Sequence, residues 1–364
     1  MTSDEFAAAG VYDPSAPDAR ERLNLLRLIQ ARGGTLEQII AAHRDGRLEH
    51  LARELLFLPE PERLTAAEVA ARAGVEVADV HRLWRAAGLP HTSSAQFTPR
   101  DVDLVATFDA ATQFFGERPA TQLVRVIANA ASRIADATIS TFTATVGAAS
   151  MAADPDAGAL EDANRSAAAL LGDLSAVIDT LLRHHLAHAA RPNVTGASGN
   201  TYERSVRAVG FVDLVASTTM SRQLPLDDVA AAIERFESTC SDIATALDGR
   251  IVKFVGDAAM FTMTTPADAC MAALGIIEAL SDDEVLLGSR AGLAYGELIL
   301  RDGDCYGPVV SLAARAAAIA RAGTVVVSDE VRNALGSDIL TFEPLPAKDL
   351  KGFDETITLY RAHR

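Results

Sequence analysis

The sequence predicts an all-α N-terminal half followed by an α+β half of order βαββαβ, one sheet with helices on one face. Three observations predict it. Helix-start signals and helically spaced apolar residues run from the N-terminus to about residue 190. Arg191-Pro-Asn-Val-Thr-Gly-Ala-Ser-Gly-Asn200 then has the composition of a linker. Beyond it the apolar period becomes that of strands alternating with helices. The expected domains are 1–190 and 203–364, joined by a linker over 191–202.

In the first half Leu23, Leu26 and Ile29, then Leu51, Leu55 and Leu56, recur at helical spacing. Thr35-Leu-Glu-Gln38 and Thr65-Ala-Ala-Glu68 are capping boxes, in which the Thr hydroxyl accepts from the amide three residues on while Gln38 or Glu68 reaches back. Thr98-Pro99 followed by Asp101 marks a third start, with Pro at the first helical position. Residues 120–151 and 160–190 lack internal proline apart from the break between them, and read as two long helices hinged around Asp154-Pro155-Asp156-Ala157-Gly158. Helices of that length bury a face against each other or against a partner chain.

Between Thr65 and Arg85, Gly74 separates two short helices, the second carrying Arg82 and Arg85. This is a helix-turn-helix outline, readable as a DNA-binding unit or as a hairpin used for packing. Residues 1–195 hold 25 acidic and 18 basic side chains, so no basic footprint surrounds it and DNA is disfavoured. His184, His185 and His188 close the last long helix. They are open to three readings: surface residues, a metal pair without a third ligand, or a pH-sensing cluster, because histidine changes charge between about pH 5 and 8.

In the second half, 206–212 is a β-branched, apolar strand. A helix is expected over 226–247 and strands over 250–254 and 258–263, around the turn Val255-Gly256-Asp257. Then come a helix over 267–280, a strand over 289–299, a helix over 311–320, a strand over 324–327, and closing strands over 339–345 and 356–361.

Composition narrows the function classes. The 364 residues are 49% hydrophobic and 23% charged, typical of a globular chain. A net charge of −16 repels nucleic acid and anionic lipid. Cys240, Cys270 and Cys305 have no Cys-x-x-Cys spacing, which argues against a disulfide framework or structural zinc and for a reducing, cytoplasmic setting. The start, MTSDEF, is acidic without an apolar core, so no signal peptide is expected, and no apolar run is long enough to span a membrane. Lysine occurs only at 253, 348 and 351 in an arginine-rich chain, which marks each one for attention.

Two segments carry chemistry. In Gly210-Phe-Val-Asp213-Leu-Val-Ala-Ser-Thr218 an apolar strand runs into an aspartate and a turn of small residues, a metal or phosphate site or a plain helix N-cap. In Arg250-Ile-Val-Lys253-Phe-Val-Gly256-Asp257-Ala258 a hairpin turn follows a lysine set inside an apolar strand. A βαββαβ sheet puts the first strand beside the hairpin, so Asp213 and Asp257 converge as a two-carboxylate site for one or two Mg²⁺.

Phe-Val-Asp213-Leu, Lys253-x-x-Gly-Asp257-Ala, Arg290-Ala-Gly-Leu, Asp304-x-x-Gly307, Ser311-x-x-x-Arg315 and Leu350-Lys351-Gly352-Phe353 occur in the order and spacing of the class III adenylyl cyclases. The resemblance covers about residues 203–362 and implies a ferredoxin-like catalytic domain that converts ATP to 3′,5′-cyclic AMP and pyrophosphate. It implies Asp213 and Asp257 as ligands of two divalent ions, Mg²⁺ or Mn²⁺, per site. It implies Lys253 and Asp304 as the adenine-selecting pair, Arg290 and Lys351 as triphosphate-holding cations, and Arg315 as the group that stabilises the pentavalent phosphorus. Ser311 stands where the family has asparagine to orient the ribose, so a shorter side chain serves that position. The family builds each site from two chains, which implies a homodimer. The helical half resembles the N-terminal autoinhibitory domains of soluble actinobacterial cyclases, some of which respond to pH or fatty acids; a small-molecule or lipid ligand is therefore an expectation for it. The alternative is a DNA-binding regulator whose cyclase-like domain only senses nucleotide. A diguanylate cyclase is excluded by the lack of a Gly-Gly-Asp/Glu-Glu-Phe turn.

Overall fold

A computed structural model describes residues 1–57, 62–89, 97–151, 157–189, 203–283, 285–286, 288–335, 340–347, 350, 352–353 and 356–364. The backbone divides into two units, Met1–Ala190 and Arg191–Arg364.

The first unit is helical and has two separate cores. Helices α1 (Ser3–Ala8), α2 (Ala19–Ala31), α3 (Leu36–Arg44) and α4 (Leu48–Phe57) enclose Phe6, Leu26, Ile29, Ile39 and Leu55. Helices α5 (Ala66–Ala73), α6 (Val77–Ala86), α7 (Pro99–Phe115) and the start of α8 (Glu117–Met151) enclose Val69, Val80, Leu83, Trp84, Val105 and Phe108. The three expected caps form: Thr35 with Gln38, Thr65 with Glu68, and Thr98 with Asp101 behind Pro99. The helix-turn-helix outline is present as α5 and α6. Its second helix buries Trp84 against Phe97 with ring centroids 4.5 Å apart, and Arg82 is engaged by Asp79 at 2.5 Å and Glu117 at 3.5 Å. That side chain is already paired inside the protein. The long helix α9 (Ala157–Ala189) follows α8, and the expected hinge residues 154–156 lie outside the described residues. Burial of the long helices is incomplete, because α9 leaves Val177, Leu181, Leu182 and Leu186 exposed.

The second unit is one mixed sheet of β1 (Glu203–Leu214), β2 (Arg250–Val255), β3 (Ala258–Met263), β4 (Ser289–Arg301), β5 (Asp304–Tyr306), β6 (Val325–Ser328), β7 (Thr341–Pro344) and β8 (Leu359–His363). The order is β2-β3-β1-β4-β6-β8-β7, with β5 on β4. Its helices are α10 (Ser217–Gln223), α11 (Leu226–Ala246), α12 (Pro266–Ala279), α13 (Pro308–Ile319) and α14 (Asp329–Leu335). Alternation along the strands sends Ala208, Val212, Phe261 and Leu293 to a core with Phe236 of α11, Ile276 of α12 and Val331 of α14. The residues between them, Val209, Met260 and Ala294, pack on Val309 and Ala313 of α13.

Helices therefore cover both faces, where the sequence suggested one. The cause is a close approach. Gly292 on β4 lies under α13, and a Cβ there would fall 1.9 Å from the Ala317 nitrogen. With an alanine-rich underside, α13 seats directly on the sheet. It also starts at Pro308, ahead of the expected 311, because Pro is well suited to a first helical position. The short elements β5, α10 and α14 were not anticipated from periodicity.

Candidate active site

Asp213 stands near the end of β1, opposite Ala258 of β3 and Arg290 of β4. The Leu214 amide donates to the Asp257 carbonyl at 3.1 Å, which fastens the β2–β3 turn to the end of β1. Gly256 supplies the positive φ of 62° that this tight turn requires. The two aspartates are thus gathered at one end of the sheet. Ala216 takes φ 60°, a left-handed conformation that costs an L-residue about 1–2 kcal/mol. That turn brings Ser217, first residue of α10, back so that its hydroxyl donates to the Asp257 carboxylate. Asp213 is held differently: its Oδ2 accepts from Arg290 Nε at 2.9 Å and Nη2 at 2.6 Å. Arg290 Nη1 donates to the Ala318 carbonyl of α13 at 3.3 Å.

The donor set fits Mg²⁺ or Mn²⁺. Both groups are hard carboxylate oxygens, and among the described residues no cluster of three or more His, Cys, Asp or Glu side chains could hold a metal alone. Two carboxylates completed by substrate phosphates is how nucleotide enzymes hold Mg²⁺.

The second group is Lys253 with Asp304. Register shifts between Ile251 and Lys253, so Ile251 faces Phe261 while Lys253 faces Met260. Simple alternation would put Lys253 on the same face as Ile251; the bulge turns it over. Its Nζ then reaches Asp304 Oδ2 at 2.5 Å, across 51 residues of sequence. Asp304 Oδ1 accepts from the Cys305 amide at 2.8 Å. Burial pushes the Asp304 carboxyl up, but the bonds from Lys253, the Cys305 amide and Tyr306 outweigh it, and its pKa lies below the ordinary value. Arg250 Nη2 steadies the neighbouring turn through the Gly303 carbonyl at 3.1 Å.

The third group is Ser311 and Arg315 on α13, four residues apart and so on one helix face. Both are exposed, and among the described residues neither side chain has a hydrogen bond or ion pair. Lys351 lies outside the described residues. His184, His185 and His188 are exposed on the last turns of α9. Sequence reasoning missed Ser217, the bulge, and the direct pairing of Arg290 with Asp213. A hydroxyl four residues after Asp213 was a usable signal for the first; the other two depend on strand register.

Residues 8–190 match the adenylate cyclase regulatory domain family. Over 99% of its length the chain is 33% identical to an uncharacterized protein of Mycobacterium tuberculosis (strain H37Rv), covering 94% of that protein. It is 30% identical to an adenylate cyclase of Glutamicibacter nicotianae, over 79% of this chain and 76% of that one. A pH-sensitive adenylate cyclase of Mycobacterium tuberculosis (strain CDC 1551) is 26% identical, over 94% of this chain and 88% of that one. Among the described residues no helix is long and apolar enough to cross a membrane.

Proposed function

The chain belongs to the adenylate cyclases that carry a helical regulatory domain ahead of a class III catalytic domain, and on that premise we propose that it forms 3′,5′-cyclic AMP and pyrophosphate from ATP at sites shared between two copies, under control of residues 1–190. The gathering of Asp213 and Asp257 at one sheet end carries this reading.

Asp213 and Asp257 would hold two divalent ions, Mg²⁺ or Mn²⁺, which when bound neutralise the triphosphate and lower the pKa of the ribose 3′-hydroxyl. The 3′-oxygen attacks the α-phosphorus in line, the bond to the bridging oxygen breaks, pyrophosphate leaves, and the hydroxyl proton passes to water. The protein's work is positioning and charge. Lys253 has three donors, so it can keep its bond to Asp304 while donating to adenine N1, and Asp304 can accept from the exocyclic amine. Guanine presents the opposite pattern at that edge and would leave both groups unpaired. Arg290 and Lys351 hold the phosphates, Arg315 neutralises charge developing on the phosphorus oxygens, and Ser311 donates to the ribose.

The solvent-facing, unpaired state of Ser311 and Arg315 among the described residues supports a site completed by a second copy, each chain lending α13 to the other. The exposed histidines at the end of α9, just ahead of residues 191–202, support acid pH as one input to the regulatory domain, as does the name of the pH-sensitive relative.

The test is incubation of purified protein with Mn²⁺ and either ATP or GTP. The reading expects cyclic AMP from ATP, with GTP disfavoured by about 10⁴-fold, the discrimination reached when a site's buried polar groups would otherwise go unpaired. Nucleotide binding without any cyclic product would favour the sensing alternative, and equal use of both nucleotides would remove Lys253 and Asp304 from base selection.

A further inference from the structure

The two carboxylates of the site are not equivalent, and the difference lies in what each one touches. Asp257 is met by a neutral hydroxyl, that of Ser217. Asp213 is met by a cation, and two nitrogens of Arg290 converge on one oxygen. The pairing is built into the sheet, since Asp213 and Arg290 stand directly opposite each other on β1 and β4. The side chains are 22% and 31% exposed, so water screens the pair only in part. A divalent ion arriving alone at Asp213 meets a carboxylate whose charge is already offset, with a guanidinium within hydrogen-bonding distance of its Oδ2. The same ion at Asp257 displaces nothing charged.

We propose that Arg290 occupies Asp213 until nucleotide arrives, and that the triphosphate then draws Arg290 off the carboxylate and opens it to the second metal ion. This rests on the assignment of Asp213 as a metal ligand made above. A triphosphate offers the guanidinium a stronger, forked partner than one carboxylate oxygen does. The remaining tether of Arg290, the 3.3 Å bond to the Ala318 carbonyl, is long and holds it weakly. Metal and nucleotide are thereby coupled: each binds better when the other is present, and by the same factor. An ion that needs Asp213 therefore binds with nucleotide rather than ahead of it.

The test uses the full chain, Mn²⁺ as the metal probe, and 3′-deoxy-ATP, which has no 3′-hydroxyl to react. Free Mn²⁺ is read by electron paramagnetic resonance, first without nucleotide. Arg290→Gln should tighten nucleotide-free Mn²⁺ binding about tenfold, a typical coupling magnitude, and weaken binding of 3′-deoxy-ATP at saturating Mn²⁺. Arg290→Lys, which keeps the charge but loses the fork, should fall between the two. A merely structural role would weaken both ligands together, so opposite signs are the signature. Asp213→Asn separates this proposal from the one it rests on. Loss of one Mn²⁺ in Asp213→Asn with 3′-deoxy-ATP bound, with no nucleotide-free tightening in Arg290→Gln or Arg290→Lys, overturns the hand-over alone. Unchanged Mn²⁺ binding in Asp213→Asn with 3′-deoxy-ATP bound overturns the metal assignment and the hand-over with it.

Discussion

Replacing Gly292 by alanine should damage both stability and catalysis, through a single atom. The added Cβ would lie 1.9 Å from the Ala317 nitrogen, 2.4 Å from the Ala313 oxygen and 2.5 Å from the Ala316 carbonyl carbon. All three belong to the backbone of α13, which cannot yield locally without breaking its own hydrogen bonds. Restoring ordinary contact near 3.5 Å therefore lifts the helix by roughly 1.5 Å and opens a gap above Ala294 and Val326. Overpacking costs about 1–3 kcal/mol, and a clash with helix backbone belongs at the upper end. For a unit of this size about 3 kcal/mol lowers Tm by roughly 6–12 °C. The lift also carries Ser311 and Arg315 with it, and displacement of about 1 Å near the chemistry costs about a hundredfold in rate. The assay follows loss of cyclase activity on heating the full chain, since two units need not unfold in one step, and then kcat at a temperature where the variant is folded. Gly275→Ala is the control: its nearest neighbour would be Ile243 Cγ2 at 3.6 Å, and it should stabilise α12 by up to about 1 kcal/mol. A Gly292→Ala protein that melts within about 2 °C of wild type and keeps kcat within about threefold would refute the reasoning.

Three further outcomes are expected. Asp213→Ala and Asp257→Ala should each abolish cyclic AMP formation while the far-ultraviolet circular dichroism stays unchanged, because neither side chain belongs to a core; activity surviving in both variants would remove them as metal ligands. If, as the family resemblance implies, the metal aspartates of each site come from one chain and Lys253, Asp304 and Arg315 from the other, Asp213→Ala and Lys253→Ala should be dead alone, yet a mixed dimer should regain one working site, and a verified heterodimer without activity would count against shared sites. Full-length protein should be less active than residues 196–364 at neutral pH, with acidification narrowing the gap, a response assigned to His184, His185 and His188. Exchanging all three for glutamine should flatten the pH profile, and an unaltered profile would exclude them.

What could be read in advance was local. The caps at Thr35, Thr65 and Thr98 depend on residues three apart, and the hairpin before Asp257 on a Gly-Asp turn, so both were visible in the sequence. Convergence of Asp213 with Asp257 followed once the first strand was set beside that hairpin. The face of Lys253 was hidden, because a bulge inserts one residue into the ladder without a sequence mark, and period-two reasoning then gives the opposite side. The Asp213–Arg290 pair was hidden for a related reason: register between strands 77 residues apart is set by how their apolar faces pack. Placement of α13 on the far face hinged on one glycine in a strand, and an isolated glycine says only that some backbone comes near.

Strand β1 is anchored unequally along its length, and this has a mechanical consequence. Among the described residues, its backbone from Glu203 to Arg207 has a strand neighbour on one edge only, while from Ala208 to Asp213 it is gripped on both. Fraying or a sideways tug at the first residue can peel the single-edged stretch, but it is arrested at Ala208. The aspartate lies roughly 17 Å beyond that point, at about 3.3 Å per residue. Its carboxylate is thus insulated from disturbance at the strand's start. Force applied there moves the sheet as a rigid plate and leaves the end that carries Asp213 intact, so a control exerted through this strand would act on the plate as a whole rather than on its shape.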